Sequence, residues 1–147
     1  IFVGSGKLEE ELKEYCKENA ELSVDFVGFK NQSELPMYYK LADILILPSS
    51  AGETWGLVVN EAFSVHTPAI VSDQVGCQPD MIDNGLTGTS FQCGNTDELS
   101  RCIKGFIPEL DSVKVAESIK EKNKTYSIEL ATRNLINAII EVKSRVK

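Results

Sequence analysis

Ile44-Leu45-Ile46-Leu47-Pro48-Ser49-Ser50-Ala51-Gly52-Glu53-Thr54-Trp55-Gly56-Leu57-Val58-Val59-Asn60-Glu61-Ala62 reads as a buried strand, a polar glycine-bearing loop and a helix that opens near Gly56. Such a junction leaves backbone N–H groups free at the helix start and adds the positive end of a helix dipole, which suits a phosphate. It also sets Glu53 in the loop and Glu61 about two helical turns beyond it.

Working outward, short apolar runs alternate with helical spacing. Ile1-Phe2-Val3 ends in Gly4-Ser5-Gly6, and Leu8, Leu12, Tyr15 and Cys16 then repeat at helical intervals. Ser23 to Val27 is a second strand closed by Gly28. Residues 33–42 are helical with Pro36 in the first turn, Ile44 to Leu47 is the third strand, and a helix over 56–65 follows it. Ala69 to Val71 makes a fourth strand, a short helical turn falls around Met81-Ile82, and Gly88 to Phe91 makes a weak fifth strand. Helices over 96–107, 112–122 and 127–145 complete the chain. This alternation predicts an α/β fold, a Rossmann-like parallel sheet with helices on both faces.

The 147 residues fit one domain with a real core. Hydrophobic residues at 42% and charged ones at 25% are ordinary for a soluble protein. A net charge of −7 argues against nucleic acid as a partner, since that needs a basic stripe. Cys16, Cys77, Cys93 and Cys102 form no C-x-x-C pair, and with His66 as the one histidine no zinc spacing exists. Reduced thiols fit a cytoplasmic protein. These residues are expected to hold no signal peptide and no bilayer-length apolar run. Lys143, Arg145 and Lys147 read as cations suiting a helix C-terminus, ahead of a contact with an anionic membrane. Because the chain starts in a strand without an initiator methionine, it is expected to be a piece of something larger.

Parallel α/β sheets bind ligands at the carboxyl ends of their strands. Gly4-Ser5-Gly6, Gly28-Phe29-Lys30 and Ser49 to Gly56 all fall there. Glu61 sits in a helix otherwise rich in Leu57, Val58, Val59, Ala62, Phe63 and Val65. A half-buried carboxylate needs donors, and a ribose diol supplies two. Two carboxylates flanking a phosphate site therefore point to a nucleotide sugar. His66 reads as a helix-terminal residue rather than a base, and Trp55 as either a platform under a sugar or an anchor for the loop.

Glu53-x7-Glu61, with Leu47-Pro48-Ser49 before it and Pro68-Ala69-Ile70-Val71 after it, resembles the retaining glycosyltransferases of the GT-B fold, family four type (glycosyl transferases group 1). Phe2 to Gly6, Val24 to Phe29 and Met81 to Gly88 extend the likeness over nearly the whole chain. It implies the carboxyl-terminal, donor-binding half of an enzyme that moves a sugar from a nucleotide diphosphate sugar, with retention, to a glycan, lipid-linked or cell-surface polysaccharide precursor.

By the same resemblance Glu53, the catalytic position, contacts donor-sugar hydroxyls and Glu61 the ribose. Backbone N–H groups of Gly56, Leu57 and Val58 hold the diphosphate, with Thr54 and Trp55 in the same donor loop. Phe29 and Lys30 sit near the base, and Gly4, Ser5 and Gly6 line the phosphate side. No metal and no other cofactor is implied, in keeping with the absence of an Asp-x-Asp pair. The implied partners are the nucleotide sugar and a missing N-terminal acceptor-binding domain, and the implied place is the cytoplasm, with peripheral contact at the inner face of the membrane.

The chain departs from the family at four points. Trp55 replaces a usual Phe, His66 a usual Gly, and Asp80 a usual Glu. The family's first strand and helix, with their Arg and Lys, are absent. The remaining readings are a binding-only module and a nucleotide-sugar epimerase. With the first strand absent, Ile1 to Gly4 is expected to pair directly with Ile44 to Leu47, in the flavodoxin-like order 23–27, 1–4, 44–47, 68–71, 88–91.

Overall fold

The structure, a computed structural model, describes residues 1–145, so Lys147 of the basic end lies outside the described residues. The chain forms two compact units, Ile1–Tyr38 and Tyr39–Lys147.

In the first unit Phe2 N–H donates to the Asp25 carbonyl (2.7 Å), Val27 N–H to Phe2 (3.1 Å) and Gly4 N–H to Gly28 (2.9 Å). This is a short parallel ladder around the bridge Phe2–Phe26, and the two rings stack with centroids 5.1 Å apart. The pairing of these two segments was legible, but they do not extend into full strands. A two-stranded ladder is marginal alone, and no residue of 1–38 is fully buried. Helix α1 (Glu9–Glu18) places Glu9, Glu10 and Glu11 in its first turn and Lys17 in its last, each suiting the dipole. Helix α2 (Leu35–Leu41) spans the boundary between the units. It is preceded by a capping box. Asn31 Oδ1 accepts from the N–H groups of Ser33 (2.9 Å) and Glu34 (3.2 Å), and Glu34 Oε2 accepts from Asn31 N–H (3.1 Å).

The second unit is built on a parallel three-stranded sheet in the order β1 (Leu45–Leu47), β2 (Ala69–Ser72), β3 (Gly88–Phe91). Leu45 lies opposite Ala69, and Ala69 opposite Gly88. All four β2 residues are buried, as a central parallel strand requires. The five-stranded order is not formed. Residues 44–47, 68–71 and 88–91 keep their expected sequence, but β1 is the edge of the sheet, and Ile1–Gly4 bonds within its own unit. Ile46 is accordingly exposed at the edge.

Connecting helices are α3 (Leu57–Ser64), α4 (Gln78–Met81), α5 (Thr96–Phe106), a 3-10 turn at Ile107–Glu109, α6 (Val113–Thr125) and α7 (Ile128–Arg145). The short turn expected at Met81-Ile82 starts earlier, at Gln78, because Pro79 suits a first helical turn. Val59 and Phe63 from α3 join Ile70 and Val71, Met81, Phe91, Phe106, Val115 and Ile119 in one core. No helix among the described residues is long and apolar enough to cross a membrane.

Helix α3 ends in a Schellman motif, His66 N–H bonding the Phe63 carbonyl (3.1 Å) and Thr67 N–H that of Ala62 (3.0 Å). His66 occupies its left-handed position at φ 70°. That accounts for the histidine as a chain-reversal residue at a place glycine fills without strain. His66→Gly is expected to stabilise the fold by about 1 kcal/mol, raising Tm by roughly 2–4 °C. A lower melting temperature would contradict this account.

Candidate donor site

Three loops leave the carboxyl ends of the strands and are tied together there. The Ser72 hydroxyl donates to the Ser49 carbonyl, and Cys93 N–H donates to Asp73 Oδ1 (2.9 Å). The Glu53 loop is clamped from the β2 side. Gly76 N–H donates to the Glu53 carbonyl (3.2 Å) and Cys77 N–H to that of Trp55 (2.7 Å). A Cβ on Gly76 would stand 2.0 Å from the Thr54 carbonyl oxygen, so only glycine lets the two backbones approach.

Gly56 turns the loop into α3 at φ 98°. A Cβ there would meet Val75 at 2.9 Å and Leu47 at 3.2 Å. The first bond of this helix runs from Val59 N–H to the Gly56 carbonyl (2.9 Å), and no side chain caps the helix. Among the described residues, the N–H groups of Gly56, Leu57 and Val58 therefore have no protein acceptor. No Lys or Arg occurs between Lys40 and Arg101, so backbone dipoles are the positive groups that this segment itself contributes.

Glu53 is half-buried, and its carboxylate accepts no hydrogen bond from the described residues. Glu61, also half-buried, lies on the second turn of α3, and its Oε2 accepts from the Tyr39 hydroxyl at 2.7 Å. The Trp55 indole N–H donates to Asn60 Oδ1 (2.8 Å), and its ring lies against Tyr126 with centroids 6.1 Å apart. These two contacts hold Trp55 in the fold, as an anchor of the loop requires. Asp80 takes the Tyr126 hydroxyl on Oδ1 (2.8 Å), so one of its oxygens is already engaged within the fold. Burial pushes the Cys77 thiol up to about 11, with the Glu53 and Asp80 carboxylates adding to it. It stays protonated at neutral pH and is no nucleophile.

Glu53, Thr54, Trp55, Gly56, Leu57, Val58 and Glu61 all belong to the second unit, on one loop and the helix it feeds. Gly4, Ser5, Gly6, Phe29 and Lys30 belong to the first. There the Gly4–Gly28 bond brings their two turns side by side. Phe29 is exposed, and Lys30 lies over the Tyr38 ring with its nitrogen 5.5 Å from the centroid. A concavity of about 470 Å3, lined by Gly85, Leu86, Cys102 and Phe106 among others, includes neither glutamate. Sequence reading missed Gly76 and Tyr39. Gly76 is one glycine among several in the loops, and Tyr39 carries no signal, because its partner lies 22 positions away.

Known proteins resemble this chain over most of its length. Residues 1–126 match the family model described as glycosyl transferases group 1. An amylovoran biosynthesis glycosyltransferase of Erwinia amylovora is 31% identical over 142 residues, which is 91% of this chain and 35% of that protein. An uncharacterized glycosyltransferase of Methanocaldococcus jannaschii is 32% identical over 101 residues, 68% of this chain and 25% of that one. Among solved structures, HepE of Anabaena in complex with UDP superposes with a TM-score of 0.77 at 19% identity, over 95% of this chain and 40% of HepE. The same protein is also known with UDP-glucose. The chain spans about a quarter to a third of the curated relatives it matches. With the matched stretch running from the first ladder through α6, this chain belongs to the glycosyl transferases group 1 family.

Proposed function

We propose that this chain is the donor-binding half of a glycosyltransferase that moves a sugar from a nucleotide diphosphate sugar to an acceptor with retention of configuration. The observation that carries this is the row of N–H groups at Gly56, Leu57 and Val58, without an acceptor among the described residues, flanked by the Glu53 and Glu61 carboxylates. The family match and the UDP and UDP-glucose complexes of HepE support a nucleotide sugar as ligand.

In this reading the helix start receives the diphosphate. Its fixed dipoles stabilise negative charge as the leaving group departs, without reorganising at the moment of reaction. Glu53 accepts from donor-sugar hydroxyls and orients the sugar, while Glu61 accepts from the ribose. Neither acts as half of an acid/base pair, and no metal or other cofactor takes part. Gly4, Ser5, Gly6, Phe29 and Lys30 serve the phosphate side and the base. A separate N-terminal domain supplies the acceptor site, so the 147-residue chain alone is inactive. The acceptor is a polysaccharide precursor, which the Erwinia relative's name supports, and the intact enzyme works in the cytoplasm at the membrane's inner face.

The test is turnover by the intact protein with nucleotide diphosphate sugars and a panel of sugar and lipid-linked acceptors. Acceptor-dependent release of nucleoside diphosphate, undiminished by EDTA and giving product of unchanged anomeric configuration, is expected. Activity lost to EDTA and restored by manganese would overturn the metal-free reading. A new nucleotide sugar formed without acceptor would indicate an epimerase, and binding with no release a binding-only module.

A further inference from the structure

Tyr39 donates its hydroxyl to Glu61, a candidate ligand carboxylate. The residue is buried on α2, 8% exposed. Its own carbonyl is held from the other side by the buried Thr67 hydroxyl at 2.7 Å, and Thr67 is in turn fixed by the Schellman motif that ends α3. The hydroxyl donates to Glu61 Oε2, while Glu61 Oε1 accepts no bond from the described residues. Tyr39 and the C-terminal half of α3 thus meet in one short chain of bonds, from Ala62 through Thr67 and Tyr39 back to Glu61.

A glutamate side chain has three rotatable torsions, and a free one would lose much of that freedom on binding a ligand. From the Thr67–Tyr39–Glu61 chain we infer that Tyr39 is a positioning residue, which spends its hydroxyl on one oxygen of Glu61 and leaves the other presented to the ribose hydroxyls. This rests on the donor-site reading of Glu61. Burial and the Glu61 carboxylate both hold the Tyr39 phenol above its ordinary range, so it remains a donor throughout the neutral and mildly alkaline range. Tyr39 touches no substrate, and its effect is to have the carboxylate ordered before ligand arrives. The structural alternative is that the hydroxyl merely satisfies a buried polar atom.

The two readings separate in a ligand comparison. UDP, GDP and ADP are titrated against the intact protein by calorimetry, and the tightest binder is compared with its 2′,3′-dideoxy counterpart. Wild type is expected to prefer the ribose form, and Glu61→Ala to lose that preference. Tyr39→Phe keeps the ring and the carbonyl that Thr67 binds. It is expected to weaken the ribose form by about tenfold, leave the dideoxy form unchanged, and raise donor KM while kcat holds. In the Glu61→Ala background it should add nothing further.

A Tyr39→Phe protein that keeps the full ribose preference, or loses affinity for both ligands equally, overturns the positioning role. Should wild type bind no nucleoside diphosphate, or Glu61→Ala retain the preference, the donor-site reading of Glu61 falls and Tyr39 is left as a structural partner.

Discussion

Gly76→Ala is expected to reduce donor turnover by the intact protein at least a hundredfold, although position 76 touches no proposed ligand. The new methyl would lie 2.0 Å from the Thr54 carbonyl oxygen, 2.6 Å from its carbon and 3.1 Å from the Trp55 Cα. These are backbone atoms, so no side-chain rotation relieves the clash, and the loop must back away. That breaks the Gly76–Glu53 and Cys77–Trp55 bonds and displaces the proposed Glu53 carboxylate and the start of α3. Overpacking costs about 1–3 kcal/mol, each lost hydrogen bond about 0.5–1.5 kcal/mol, and a displacement of about 1 Å about a hundredfold in rate. Melting temperature is expected to fall by roughly 5–10 °C.

Gly105→Ala is the control. It lies inside α5, and a Cβ there meets nothing within 4 Å, so it is expected to stabilise the helix by about 0.5–1 kcal/mol with activity unchanged. Near-wild-type kinetics in Gly76→Ala would show that the loop clamp does not position the donor.

Glu61→Ala is expected to weaken nucleotide-sugar binding by about 1–3 kcal/mol, the range for hydrogen bonds to a charged group, or roughly 5- to 150-fold. The fold survives, because α3 is held by Val59, Ala62 and Phe63, each fully buried. The substitution also strips the buried Tyr39 hydroxyl of its acceptor, which costs about 1 kcal/mol or more in stability. Glu61→Gln separates the two effects. Its amide oxygen still accepts from Tyr39, so Tm should recover, while the lost charge keeps donor affinity below wild type. Affinity unchanged by either substitution, measured calorimetrically at matched temperature, would leave Glu61 as an internal partner of Tyr39 alone.

Local sequence was sufficient for the strands of the second unit, whereas the runs at 1–3 and 23–27, closed by glycine in the same way, form only a single bridge. Ile44 to Leu47, Ala69 to Val71 and Gly88 to Phe91 were readable as parallel strands because apolar runs closed by Pro, Gly and polar residues have few other places in an α/β fold. The Glu53 loop, the Gly56 helix start and both carboxylates were legible for the same reason, since they are neighbours along the chain. His66 was readable as helix-terminal, but its left-handed backbone became clear only from the Schellman bonds.

Contacts between residues far apart in sequence needed the folded chain. The Gly76 clamp joins positions 23 apart, and the Tyr39–Glu61 bond positions 22 apart; neither leaves a periodic trace. The engagement of Trp55 with Tyr126 and of Asp80 with the same tyrosine likewise depends on how α6 packs, not on local spacing. Strand neighbours follow the same rule. Apolar patterning says that a segment is a strand, whereas its partner is chosen by the backbone groups left unpaired once the core has formed. Here β1 is an edge of its sheet and Ile1 to Gly4 pairs with Asp25 to Gly28, a choice that apolar patterning along the chain does not encode.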